Sequence, residues 1–259
     1  MARYTGRPAY VQIADDVRRQ ITDGVLRSSD KLPTEAELMA DYGVSRIVVR
    51  QAVEVLRNEG LVVSQRGSGS FVREQQPRRR RVVGNRYRHR ATSSPFATAA
   101  RVAGQRPEWE YQSRRTTASQ SVGERLGIAA GDPVMRTSYR FFADEMPVML
   151  STSYEPLAIT EGTPIESPET GPTTGVVGRM DLIGVRITHV VEDVQARSPR
   201  PYEQEALQVP AGVPVMAVER TYYADELAVE TADIVVSADR YTFSYAVPVG
   251  LQPDPDATA

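Results

Sequence analysis

The stretch from Leu32 to Val72 constrains the fold more than any other part of this chain, because several local signals in it fall in phase. Thr34, followed three residues later by Glu37, is a capping box, which satisfies two orphan amides at the start of a helix. Tyr42-Gly43 closes that helix, glycine being the residue that enters the left-handed region at little cost. Ser45 stands where a hydroxyl can accept from a first-turn amide, and so opens a second helix. Within it Val49, Ala52, Val53 and Leu56 recur at helical spacing as one apolar stripe. Arg46 and Arg50, four residues apart, share a face turned away from that stripe. Asn58-Glu59-Gly60 stops the helix. Two helices joined by a short turn, with a basic face near the start of the second, form the device that enters the DNA major groove. Two exposed arginines alone are an ordinary solvated face; capping and turn in phase with them favour DNA.

The flanking residues complete such a unit. Tyr10, Ile13, Ala14, Val17 and Ile21 make the stripe of a first, supporting helix that ends at Asp23-Gly24. Val62–Gln65 and Ser70–Val72 read as two short strands around Arg66-Gly67-Ser68-Gly69, a hairpin with glycine at its tip. Glycine there permits positive φ and close approach to a groove. Arg66 beside Gly67 is placed to enter a narrow minor groove.

Pro8-Ala9-Tyr10-Val11-Gln12-Ile13, Gly24-Val25-Leu26, Leu32-Pro33-Thr34-Glu35-x-Glu37-Leu38, Tyr42-Gly43-Val44-Ser45-Arg46, Val49-Arg50 and Glu59-Gly60-Leu61-Val62 together resemble the GntR family of bacterial winged-helix regulators. The run Arg66 to Val72 is similar to the wing of that family. The resemblance implies that Arg46 and Arg50 read bases or grip phosphates. It implies further that Thr34 and Ser45 meet phosphate while capping, and that Gly67 seats the wing. Many relatives carry a basic residue at the position of Ala36, so part of their half-site readout is lost or shifted here.

Charge separates the chain into two parts. Residues 1–90 hold 18 Lys+Arg against 10 Asp+Glu, a balance of +8, and the remainder holds 13 against 23, a balance of −10. A basic head on an acidic body suits a polyanion-binding protein. Hydrophobic content of 41% supports a globular core, and no apolar run approaches a membrane span. Met1-Ala2-Arg3-Tyr4 does not lead into a signal sequence, and cysteine is absent, which excludes a disulfide framework and thiolate chemistry. A cytoplasmic location with no membrane partner is the simplest expectation.

Residues 74–90 read as a basic linker. Pro77 followed by Arg78 to Arg81, then Arg86, Arg88 and Arg90, is too charged to pack and suits a solvated tether. The same arginines either remain bare or add sequence-blind phosphate contacts. Beyond it, strands are expected at Trp109–Ala118, Val134–Phe142, Val148–Tyr154, Val185–Ala196, Val213–Tyr223 and Ala228–Val236, with Tyr241–Val249 closing the sheet. Short helices are expected at Ser119–Leu126 and near Pro201–Leu207, and a Gly/Pro/Thr-rich loop at 162–175. Sequential strands with few intervening helices argue an α+β domain on an antiparallel sheet.

This second part resembles the UTRA effector domain of the HutC subgroup. The residues that carry the likeness are Leu126-Gly127-Ile128-x-x-Gly131-Asp132-Pro133-Val134, Asp144-x-x-Pro147, Ser153-Tyr154-x-Pro156, Ala206-Leu207-x-Val209-Pro210-Ala211-Gly212-x-Pro214-Val215 and Asp239-Arg240-Tyr241. The resemblance implies a chorismate-lyase-like fold, a ligand pocket inside the sheet, and dimerisation through this domain. Phosphosugar-binding relatives place arginines where this chain has Tyr139 and Phe141, with Arg140 on the opposite face of the strand. A carboxylate common at the position of Ser151 is missing, whereas Glu230 matches a family pocket carboxylate and Thr173-Thr174 a hydroxyl-bearing loop. Tyr139, Phe141, Ser151, Thr174 and Glu230 are therefore the candidate effector residues, suited to a flatter, more apolar ligand or to a pocket that has lost its ligand; aromatics on a strand are most often core.

The expected organisation is α+β: a winged helix-turn-helix DNA-binding domain at 1–73, the basic linker at 74–90, a UTRA effector-binding and dimerisation domain at 91–250, and a disordered tail at 251–259. His89 and His189 are the only histidines, and no nucleophile elbow, phosphate loop or metalloprotease motif occurs, so no catalytic residue, metal or cofactor is expected. The expected partners are double-stranded operator DNA, a second copy of the chain, and a small-molecule effector that releases a repressor from a pseudo-palindromic operator. The alternative is a constitutive repressor, as in plasmid-transfer regulators, whose second domain only dimerises.

Overall fold

The computed structural model describes residues 7–65, 67–74, 79–83, 94–171, 173–210 and 212–245. Arg66, much of the linker and the tail at 251–259 lie outside them. The head consists of α1 (Ala9–Thr22), α2 (Glu35–Tyr42), α3 (Arg46–Asn58) and the hairpin β1 (Val62–Gln65) and β2 (Gly69–Val72). Its core is built where the periodicities converge: Ile13, Ala14 and Val17 of α1 meet Ala52 and Leu56 of α3, closed by Leu32, Val62 and Val72. Val53 departs from expectation. It is only half-buried, and Val48 and Val55 pack against the core in its place. Arg18 ties the helices further, its Nε donating to Glu59 Oε2 at 2.8 Å.

The body carries a six-stranded antiparallel sheet in the order β4-β5-β6-β9-β8-β7. Its strands are β4 (Pro107–Thr117), β5 (Pro133–Ala143), β6 (Met146–Pro156), β7 (His189–Arg197), β8 (Val215–Ala224) and β9 (Leu227–Ser237). The α+β expectation holds, as do the hairpin at Asp144–Glu145 and the helix α5 (Gln120–Leu126) capped by Ser119. Two further helices lie where no periodicity marked them: α4 (Pro95–Val102), capped by the Ser94 hydroxyl, and α7 (Val176–Leu182). Both are short, so tertiary packing decides them rather than propensity. A single turn, α6 (Leu157–Thr160), follows β6, and α8 (Pro201–Leu207) precedes β8.

Two expectations are corrected. Arg79–Val83 within the linker forms β3, paired in parallel with β10 (Tyr241–Tyr245), and β10 therefore joins this two-stranded sheet instead of closing the large one. Strand pairing is made by main-chain groups, so a run of charged side chains does not forbid it. Tyr241 and Phe243 of β10 then pack against Val218, Ala232, Ile234 and Val236 of the large sheet.

Head and body also touch directly. The Arg73 Nη2 lies 2.6 Å from Asp239 Oδ2, with both side chains largely buried. A Cβ on Gly212 would fall 2.0 Å from the carbonyl oxygen of Asn58, the last residue of α3, and one on Gly60 would fall 2.6 Å from Val213 Cγ2. The end of α3 is thus seated against the Gly212–Val213 turn.

Candidate DNA interface and effector face

On the head, Thr34 and Glu37 form the expected capping box: the Glu37 amide donates to the Thr34 hydroxyl at 3.2 Å, and the Thr34 amide donates to Glu37 Oε2 at 2.7 Å. The Thr34 amide, then its hydroxyl, hold the Glu37 carboxyl below the usual carboxylate range. Ser45 differs. It occupies the N-cap of α3 with extended backbone, but its hydroxyl makes no capping hydrogen bond. A helix start whose amides are not satisfied by its own cap residue is suited to an anion such as a DNA phosphate.

Arg46 and Arg50 stand off the core, with side chains 66% and 73% exposed. Both approach one carboxylate: Arg46 Nε is 3.4 Å and Arg50 Nε 4.0 Å from Glu35 at the start of α2. At this exposure the contact adds little stability, but it keeps the two guanidinium groups side by side. Between them lies Ile47, 71% exposed, which sequence reasoning passed over. An apolar side chain held out at the start of a recognition helix suits a thymine methyl. The helical spacing carried the signal, since Ile47 falls outside the apolar stripe. Gly67 has φ +78° at the hairpin tip, as a wing turn requires; Arg66 lies outside the described residues.

On the body, strand register decides which side chains share a face. Tyr111, Tyr139, Ser151, Ile234, Val218 and Val194 form one row across all six strands. The next row one way contains Phe141, Met149 and Val236; the other way it contains Thr137, Ser153, Ala232 and Arg220. Tyr139, Phe141 and Ser151 are therefore neighbours on one face, as expected. Arg140 points to the other face, where its Nε donates to the Ala206 carbonyl of α8 at 2.9 Å. Phe141 is buried in an aromatic cluster with Phe96 at 4.8 Å and Tyr139 stacked at 5.3 Å.

Glu230 lies farther along that face, in a buried polar group that the sequence did not announce. Glu155 and Arg179 are each only 1% exposed and form a two-pronged ion pair, with Arg179 Nη2 2.9 Å from Glu155 Oε2 and also donating to the Ile165 carbonyl. Arg220 Nη2 donates to Glu230 Oε1 at 3.3 Å. Burial, reinforced by the Glu155 carboxylate, pushes the Glu230 carboxyl up to about 7 against the pull of Arg220 and Arg179. Burial likewise raises the Tyr139 phenol, with the carboxylates of Glu169, Glu230 and Glu155 adding to it. Thr174 lies in the loop just before α7, half-buried beside buried Thr173. Alternation from Ser151 through Ser153 puts Glu155 on this face, but its partner sits on α7, which periodicity does not reveal.

Residues 9–72 match the bacterial regulatory proteins of the gntR family, and residues 103–242 match the UTRA domain. An HTH-type transcriptional regulator of Mycobacterium tuberculosis is 29% identical over 93% of this chain and 86% of its own length. The HTH-type transcriptional repressor NagR of Bacillus subtilis is 26% identical over 91% of this chain and 93% of its own. A solved structure described as a GntR-family transcriptional regulator shares 41% identity and a TM-score of 0.77, covering 95% of this chain and 99% of the other. These relatives are regulators of transcription and not enzymes, in keeping with the absence of catalytic motifs from the sequence. No helix among the described residues is long and apolar enough to cross a membrane. The chain belongs to the GntR family of transcriptional regulators, with a UTRA domain behind its DNA-binding head.

Proposed function

We propose that this regulator is a homodimeric, cytoplasmic repressor that holds a pseudo-palindromic operator and releases it when a small molecule binds the body. The observation that carries the reading is the start of α3, where Arg46, Ile47 and Arg50 stand exposed beside a Ser45 hydroxyl not used as a cap. Arg46, Arg50 and Ile47 contact base edges, Thr34 and Ser45 contact phosphate, and Arg66 and Gly67 carry the wing into the adjacent minor groove. The name of the Bacillus subtilis relative supports repression rather than activation. Domain limits of 1–73 for the head and 91–250 for the body belong to the same proposal, with β3 making the segment between them partly ordered.

The effector occupies the sheet face at Tyr139, Phe141, Ser151, Thr174 and Glu230. A stacked aromatic pair on the same sheet face as a buried carboxyl raised to about 7 suits a flat ligand with a hydrogen-bond donor or acceptor at one end. Footprinting on DNA flanking the gene tests the operator, and loss of the footprint with added metabolites tests release. A second reading, a body that only dimerises, is supported by the packing of Phe141 among Phe96, Trp109 and Tyr139. No metabolite raising the melting temperature, beside an intact footprint, would favour that second reading.

A further inference from the structure

Among the described residues the first strand of the large sheet has one side unoccupied. Among the described residues β4 pairs with β5 and with no other strand, and its register to β5 runs unbroken over all eleven residues. Every second residue of such an edge presents an unpaired amide and carbonyl, a template for another strand. Edges are commonly guarded by proline, bulges or lysine; β4 has proline only at its first residue and no lysine.

The charges on this edge are arranged for a copy of itself. Gln112 is the central residue of Pro107–Thr117. A two-fold axis through it, with the strands antiparallel, sets Glu110 opposite the partner's Arg114 and Arg114 opposite the partner's Glu110. Tyr111, 49% exposed, falls opposite the partner's Ser113. Glu110 and Arg114 have no ion-pair partner within the chain among the described residues. Their neighbours do: Glu108 is held by Arg106 at 2.9 Å, and Arg115 by Glu161 and Glu166 at 2.6 Å each. The opposite edge, β7, lacks this complementarity. A two-fold at its central Asp193 sets that carboxylate against its own copy, and Arg197 is committed to Glu203 at 2.6 Å.

We infer that the regulator dimerises by pairing β4 with β4 of a second copy about Gln112, joining two six-stranded sheets into one continuous sheet. This rests on the homodimer proposed above and adds the edge and the register. Such a contact is isologous, the same patch serving both copies. Moving the two-fold to Ser113 would set Glu110 opposite the partner's Thr116 and Arg114 opposite the partner's Gln112. Moving it to Tyr111 would set Glu110 opposite the partner's Gln112 and Arg114 opposite the partner's Glu108, which Arg106 already holds, so the register about Gln112 is the one that pairs both free charges.

The full chain contains no cysteine, which makes a direct test clean. Residues facing each other across an antiparallel two-fold have Cα atoms about 4.5–5.5 Å apart, within disulfide reach. Gln112→Cys in the full-length protein should therefore give a covalent, reductant-sensitive dimer on mild oxidation, and Asp193→Cys at the centre of β7 should not. By sedimentation at low salt, Glu110→Arg alone or Arg114→Glu alone should weaken the dimer by about tenfold or more, since each creates two like-charge pairs. The combined Glu110→Arg and Arg114→Glu protein should regain wild-type affinity. A wild-type chain that sediments as a monomer at micromolar concentration would overturn both the homodimer and this inference. A dimer that cross-links through Asp193→Cys and not through Gln112→Cys, or that ignores the charge reversals, would overturn the β4 seam and leave the homodimer standing.

Discussion

Arg179→Met is the most informative single change in the body. It removes the guanidinium that holds Glu155 from both prongs and leaves the Ile165 carbonyl without that donor. Glu155 is 1% exposed, and Glu230 with its buried carboxyl lies near enough to repel it. Stripping one partner from a buried pair costs about 3–5 kcal/mol, because the remaining charge is neither solvated nor compensated. With a urea slope of about 2 kcal/mol per molar, the unfolding midpoint should fall by roughly 2 M. Methionine fills much of the arginine stem's volume, so little of this loss comes from a cavity. Glu155→Gln combined with Arg179→Met removes both charges and should recover most of the loss, since paired removal is often close to neutral. Urea unfolding of the full-length protein at pH 7, followed by far-ultraviolet circular dichroism, measures both variants. A fall below about 0.5 M for Arg179→Met, or a double variant no better than the single, would refute the picture of a desolvated and mutually dependent pair.

Glu230→Gln should alter the pH dependence of stability. The folded-state carboxyl is raised to about 7, so its contribution is fully present below its ordinary value near 4.5 and is lost as pH rises through about 7. The variant should lack that decline and exceed wild type at pH 8 by up to about 3 kcal/mol, less the hydrogen bond from Arg220; melting curves from pH 4 to 8 decide it. Arg46→Ala and Arg50→Ala should each weaken operator binding by about 1–3 kcal/mol without changing the melting temperature, and Ile47→Ala should chiefly relax preference at a thymine; gel-shift titrations on operator and mismatched sites read these effects. Gly212→Ala should unseat the head, because φ is +83° and the new Cβ would meet the Asn58 carbonyl at 2.0 Å; hydrogen exchange at residues 58–61 should rise while the head's own core stays protected.

The helix-turn-helix was legible because its signals are local. Thr34, Glu37, Gly43 and the Val49–Ala52–Leu56 stripe act within one or two turns of chain, and each specifies its own element whatever surrounds it; the Ser45 hydroxyl, expected to cap α3, does not. Alternation on β5 placed Tyr139 and Phe141 on one face and Arg140 on the other for the same reason. Tertiary structure alone decided what depends on distant partners. Glu155 found Arg179 through a helix too short to show a period, and buried Glu230 drew its raised carboxyl from low dielectric and the Glu155 carboxylate. The arginine run at 79–83, which reads as a tether from charge, became a strand because Tyr241–Tyr245 arrives from the far end of the body to pair with its main chain. Main-chain pairing and desolvation are properties of neighbours in space, and no window of sequence contains them.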